Sequence, residues 1–191
     1  MVRKLNLLPL LVGIFIAIIS SGCGNRSSNI TEGTEWRVTV YRAAPFNDAE
    51  LGIGTDRTYN VADTAVVNEN LKNVKPENLT LEWTLPDSEG LIWLVAYESV
   101  PVLDEKVTVT EVNAIPTSDH DFQVAFKFTD AKKWQTITRN NIGSRLALFV
   151  NGKLMNAPQV NSEITSGNCS VLISADMIHE FLPNLDLDKV H

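Results

Sequence analysis

Two cysteines, three histidines and a few spaced carboxylates are the side chains of this 191-residue chain whose types and spacing could do chemistry. A thiolate can be acylated, oxidised or bound to a metal. Cys23 follows Ser20, Ser21 and Gly22, whose small side chains leave the backbone there open to a processing enzyme. The histidines, His120, His179 and His191, are far apart, and no His-x3-His or Cys-x2-Cys spacing is present to assemble a zinc site. Asp119 and Asp121 flank His120, but acid–base work would need a pocket around them. Asp186 and Asp188 alternate without the glycine and distal Glu of a calcium loop. Gly52-Ile53-Gly54 lacks the third glycine and the preceding strand of a phosphate-binding turn, and no Gly-x-Ser-x-Gly elbow frames a serine nucleophile. The expectation is a protein that is not an enzyme, with no catalytic residues, metal or cofactor. Its one chemically marked position, Cys23, is a residue on which chemistry is done.

The elements around Cys23 point the same way. Arg3 and Lys4 precede an apolar run from Leu5 to Ile19, and small residues follow, which are the three parts of a secretory signal over residues 1–22. The run falls short of the about 20 apolar residues a spanning helix requires. Ser21-Gly22-Cys23 resembles the lipobox of bacterial lipoproteins, with Ser20 departing from the usual Leu. That resemblance implies diacylglycerol on the Cys23 thiol and an acylated, palmitate-type anchor. The other reading is an ordinary cleaved signal with an incidental cysteine. Acyl chains contribute about 0.8 kcal/mol per buried methylene, enough for a multi-chain anchor to hold without a spanning helix. Residues 23–34, rich in Gly, Ser, Asn and Thr, suit a flexible tether. Gly24 stands where an Asp would favour the inner membrane, so the expected location is the periplasmic side of an envelope membrane, with a lean towards the outer one.

Composition bounds the partners. Loss of Arg3 and Lys4 with the signal takes the formal charge from −7 to −9, because two positive charges leave. Nucleic acid demands clustered Lys and Arg, so it is excluded as a partner. With Cys23 acylated, Cys169 has no disulfide partner and is expected as a buried free thiol.

Along the rest of the chain, Trp36, Val38 and Val40 alternate with Arg37, Thr39 and Tyr41 as in a half-buried strand. Residues 43–63 read as irregular. A short helix is expected within 62–74, with Val66, Asn70 and Val74 on one face. Leu79, Leu81, Trp83 and Leu85 alternate, and Leu91 to Tyr97 is apolar on both faces, as in a central strand. Val107, Val109 and Glu111 would share a face, and Phe122, Val124, Phe126 and Phe128 alternate. Thr129 or Asp130 can cap a helix lined by Ala131, Trp134, Ile137, Thr138 and Asn141 and stopped at Gly143. Leu146 to Val150, Asn151-Gly152 and Lys153 to Met155 form a hairpin signature. Ser166-Gly167 turns into Ser170 to Ile173, and Ser174 is expected to cap a last helix that packs Met177, Ile178, Phe181 and Leu182. The fold class is α+β, a mostly antiparallel sheet with two or three helices on one face. Residues 35–98 form a β-rich region and residues 99–191 an α+β region.

Phe128-Thr129, Trp134, Ile137-Thr138-Arg139-Asn140-Asn141-Ile142-Gly143, Arg145-Leu146-Ala147, Asn151-Gly152-Lys153, Ala157-Pro158, Ile164 and Gly167 together resemble the head subdomain of the first periplasmic domain of SecD, the accessory component of the Sec translocase. The resemblance starts near Val100 to Leu103. It implies a head-like module that contacts a protein or peptide during export, without the membrane helices of the SecD motor. Residue by residue these positions read as fold-making. Two functions remain open: a lipid-anchored binding module using a sheet face or edge, and a structural lipoprotein packed permanently into an envelope complex.

Overall fold

The computed structural model describes residues 34–55, 57–74, 76–87, 89–115 and 121–190. Its strands are β1 (Glu35–Ala44), β2 (Asn47–Asp48), β3 (Ile53–Gly54), β4 (Thr58–Asn60), β5 (Leu79–Trp83), β6 (Leu91–Glu98), β7 (Leu103–Ala114), β8 (Asp121–Lys127), β9 (Arg145–Val150), β10 (Lys153–Asn156) and β11 (Asn168–Ser174). The helices are α1 (Thr64–Leu71), α2 (Ala131–Asn140) and α3 (Ala175–Phe181), with 3₁₀ turns at Val61–Asp63 and Leu187–Lys189. The class is α+β as expected, and every pairing among the described strands is antiparallel.

The main sheet runs β10-β9-β1-β7-β8-β11, with β6 joined to the end of β1 and carrying β4 and β5. β1 is therefore the hub. One edge pairs with β9, from Val38 opposite Val150 to Ala43 opposite Arg145. Its other edge pairs first with β7, then, at Ala43 and Ala44, with β6. Residues 35–98 and 99–191 thus contribute to one shared sheet.

The alternation in β1 decides its faces. Trp36, Val38 and Val40 are 1%, 0% and 0% exposed and point towards α2 and α3. The Trp36 indole meets Phe126 and Phe181 edge-on at 6.0 and 6.1 Å and donates to the Phe181 carbonyl at 3.0 Å, tying α3 to the first strand. Truncating so large a buried ring costs about 3–5 kcal/mol. On the opposite face Tyr41, Tyr97 and Phe149 form a triangle of rings 4.9–5.2 Å apart. The Tyr97 hydroxyl donates to Glu82 at 2.8 Å. A third cluster joins Ile53, Tyr59, Val67, Ile92 and Leu94 around β4, β6 and α1.

Local signals placed most elements. Asp130 accepts from the Lys133 amide at 2.9 Å, so it is the α2 cap. Asn151 and Gly152 carry φ of +50° and +82°, as the two-residue hairpin between β9 and β10 requires. Gly143, at φ +83°, ends the α2 segment. Ser174 occupies the position before α3, but its side chain makes no capping hydrogen bond.

Two expected faces are corrected. Val66 is 68% exposed and Val67 is the buried residue of α1, because that helix packs on the β4–β6 wing. Glu111 does not continue the Val107–Val109 face. A bulge between Val109 and Glu111 shifts the register against β8 and turns Val112 inward, to 0% exposure.

Candidate functional site

Among the described residues, the groups singled out by type form no cluster. Cys23, Asp119, His120 and His191 lie outside the described residues. Asp121 begins β8, opposite Ser174, and His179 lies in α3. Asp186 accepts from the Asp188 amide at 3.2 Å, a local turn rather than a cation loop. Ile53-Gly54 forms one arm of the β2–β3 hairpin, with Gly52 in the turn before it, and the next element is the strand β4 rather than a helix. Among the described residues no three His, Cys, Asp or Glu side chains cluster closely enough to hold a metal ion. Cys169 is a buried free thiol on β11, and burial raises it to about 12.

What the fold does build is an interrupted strand edge. On one side of β6, β1 pairs Ala44 with Ala96, and β4 pairs Thr58 with Trp93. Both flanking strands run in the same direction, so they read as one strand broken between them. Residues 45–57 intervene where two residues would keep the ladder continuous. Pro45 stands directly after Ala44, the last β1 residue paired with β6, and the ladder to β6 stops there. The chain instead leaves into the β2–β3 hairpin, closed at its base by the Thr55 amide donating to the Phe46 carbonyl at 2.9 Å.

On this edge Leu94 and Val95 have no paired strand residue, while on the other edge they stand opposite Trp83 and Glu82 of β5. On the other edge of β6, Thr84 donates to the Trp93 carbonyl at 2.9 Å and the Trp93 amide donates to the Thr84 hydroxyl at 2.9 Å. In an antiparallel ladder successive residues direct their backbone groups to opposite edges. The N–H and C=O of Leu94 thus point into the gap.

The gap opens into a groove of about 440 Å³. Ala43, Ala44, Ala96 and Ala157 line it with methyl groups and Gly143 with bare backbone. Ser144 and Arg145, just after α2, form the facing wall. Arg145 donates to the Ala157 carbonyl at 2.9 Å, and Gly143 donates to Val160 at 2.8 Å, fixing that wall. A second cavity of about 460 Å³ lies beside α1, between Arg57, Tyr59, Asp63, Val66 and Leu91. There Arg57 stacks 4.7 Å over the Tyr59 ring and donates to its hydroxyl at 2.8 Å.

Sequence reasoning missed the groove because residues 43–63 carry no period. The available signal was Pro45 directly after an alternating strand, together with Ala43-Ala44 before it and Ala96 opposite.

Residues 85–179 match the family described as SecDF, P1 head subdomain. The matched stretch begins before β6 and ends within α3. The protein translocase subunit SecD of Rickettsia conorii is 28% identical over 119 residues, which are 62% of this chain and 23% of that protein. SecDF of Thermus thermophilus is 41% identical over 51 residues, 26% of this chain and 7% of that one. A solved structure of a membrane component SecDF that enhances protein export aligns over 78% of this chain and 60% of its own, at 21% identity and a TM-score of 0.36. The chain thus spans less than a quarter of the Rickettsia relative, and it resembles the SecD P1 head over the matched residues.

Proposed function

We propose that this chain is a non-catalytic envelope protein whose head-like module binds extended polypeptide at the interrupted β6 edge, in the service of protein export. Residues 1–22 direct export, Cys23 carries the lipid that holds the protein on the periplasmic side of a membrane, and residues 23–34 tether the folded part. The Gly24 position leans the location towards the outer membrane. The link to export rests on the similarity of residues 85–179 to the SecDF head, since the SecD and SecDF relatives are translocase subunits.

The observation that carries the binding reading is the pair of backbone groups on Leu94, which have no strand partner on the gap side, at the bottom of a groove where Leu94 itself is 1% exposed. An unpaired strand edge accepts a peptide by main-chain hydrogen bonds, which need no particular side chain and so tolerate many sequences. Packing as a fixed part of a complex has less support. Among the described residues the large exposed apolar side chains are Val61, Val66, Val100, Ile142 and Leu172, contributed by the Val61–Asp63 turn, α1, the β6–β7 connection, the α2–β9 turn and β11.

Two experiments test the proposal. Hydrogen exchange of the full chain in mild detergent, with and without a saturating unstructured neutral peptide, is expected to slow at the Leu94 amide. Ser144→Trp, which fills the groove from its exposed rim, is expected to abolish that protection. Unchanged exchange at Leu94 would sink the edge-binding reading. Intact mass of the mature protein reports the anchor: cleavage before Cys23 with added acyl mass supports it, and an unmodified thiol there refutes it.

A further inference from the structure

The groove carries one charge. Ala43, Ala44, Pro45, Asn47, Thr55, Trp93 to Ala96, Gly143, Ser144 and Ala157 complete its lining around Arg145, and none of them is acidic. In a chain with 23 acidic and 16 basic residues, a wall with a guanidinium and no carboxylate is out of keeping with the average surface. Three other described arginines have carboxylate partners: Arg37 with Asp104 at 2.6 Å, Arg42 with Glu98 at 3.6 Å, and Arg139 with Glu163 at 2.6 Å. Arg145 has none among the described residues, and its one recorded side-chain hydrogen bond goes to the Ala157 carbonyl. That bond positions the guanidinium and leaves most of its N–H donors unspent. The other cavity differs, because Asp63 stands in the same lining as Arg57.

We propose that Arg145 reads a side-chain carboxylate, so that the groove prefers extended segments carrying Asp or Glu beside the residue paired at Leu94. This rests on the edge-binding reading above and specifies which sequences that edge holds best. The gap between the β1 and β4 pairings spans two residues of β6, about 7 Å at roughly 3.3 Å per residue. One residue of a crossing peptide can pair there while its chain continues both ways. The carboxylate therefore comes from a side chain and not from the peptide's end. A guanidinium held in place gains charge-assisted hydrogen bonds to such a group. The chain's overall negative charge opposes an acidic peptide at long range, but at about 0.15 M salt that repulsion is screened beyond about 8 Å, whereas direct contact with Arg145 is not.

The test is fluorescence anisotropy of labelled, end-blocked twelve-residue peptides with the full chain in mild detergent at about 0.15 M salt. The peptides are identical but for a central Glu, Gln or Lys, and a fourth carries Gln and a free C-terminal carboxylate. The Glu peptide is expected to bind about two- to fivefold more tightly than the Gln peptide, the upper part of the range of an exposed ion pair. Arg145→Gln should erase the difference and Arg145→Glu should favour the Lys peptide. Arg145→Lys should keep part of the preference. Equal binding of the Glu and Gln peptides, or a preference that survives Arg145→Gln, overturns this proposal and leaves edge binding standing. Tightest binding by the free C-terminal peptide overturns the side-chain assignment. Binding by none of the peptides overturns the edge-binding reading with it.

Discussion

Thr138→Val removes one oxygen from the centre of the fold and keeps the shape. Thr138 is fully buried in α2. Its hydroxyl lies 3.1 Å from the carbonyls of Trp134 and Gln135 and accepts from the Ile164 amide at 2.9 Å. The helix carbonyls retain their backbone partners without it, but Ile164 N–H, on the segment between β10 and β11, loses its acceptor in a buried place. Leaving such a donor unsatisfied costs about 1–3 kcal/mol. The added methyl returns up to about 0.8 kcal/mol through burial. The net expectation is about 1–2 kcal/mol of destabilisation. With a urea slope of about 2 kcal/mol/M, the unfolding midpoint should fall by about 0.5–1 M. Thermal unfolding should fall by about 2–8 °C for a chain of this size. Thr138→Ser keeps the hydroxyl and gives up one buried methyl, costing about 1 kcal/mol. Equilibrium urea unfolding by tryptophan fluorescence measures both, and a double-mutant series with Ile164→Val checks that the two segments are coupled. Thr138→Val at native stability would refute the view that this hydroxyl fastens α2 to the Ile164 segment.

Three further outcomes are expected. Gly152→Ala and Gly167→Ala both force a side chain into positive φ, at +82° and +73°, costing about 1–2 kcal/mol each. Gly167→Ala should be the worse, because its Cβ would stand 3.1 Å from Ala131 Cβ and 3.2 Å from the Phe128 carbonyl oxygen, whereas Gly152 faces open space; denaturation midpoints in the reverse order would contradict this. Burial holds the Cys169 thiol protonated to about pH 12 in the fold, against about 8.5 in an unfolded chain, so its contribution is full below the unfolded value and is lost as pH rises towards 12. Cys169→Ala should accordingly flatten the alkaline fall in the urea midpoint between about pH 8.5 and 12; an equally steep fall in that variant would be the contrary result. Thiol titration at pH 8 should find Cys169 silent in the native protein and one thiol equivalent released in denaturant if Cys23 is acylated, and a second equivalent would contradict the anchor.

The elements legible in the sequence are those whose cause is local. Alternation over a few residues marked β1, β5 and β8. A single side-chain oxygen on Asp130 satisfied an unpaired first-turn amide of α2. Asn151 and Gly152 supply the positive φ that a two-residue hairpin needs. Each of these depends on neighbours within about four positions, so residue type alone carries the information. The expected signal pattern before Cys23, which lies outside the described residues, is likewise read from consecutive residues alone.

Only the tertiary structure decided which strands meet. That β1 lies between β9 and β7, and that its end passes to β6, depends on pairings between residues about 55 to 110 positions apart, which no local period encodes. The Val109–Glu111 bulge and the inward turn of Val67 in place of Val66 follow from what each element packs against. The groove is of this kind as well. Pro45 marks in the sequence the place where β1 ends, but that Leu94 stands opposite the break, and that Arg145 lines the same groove, is settled by register across three separate segments. A site made of unpaired backbone rather than reactive side chains leaves no motif in residue types, because every residue carries the same N–H and C=O.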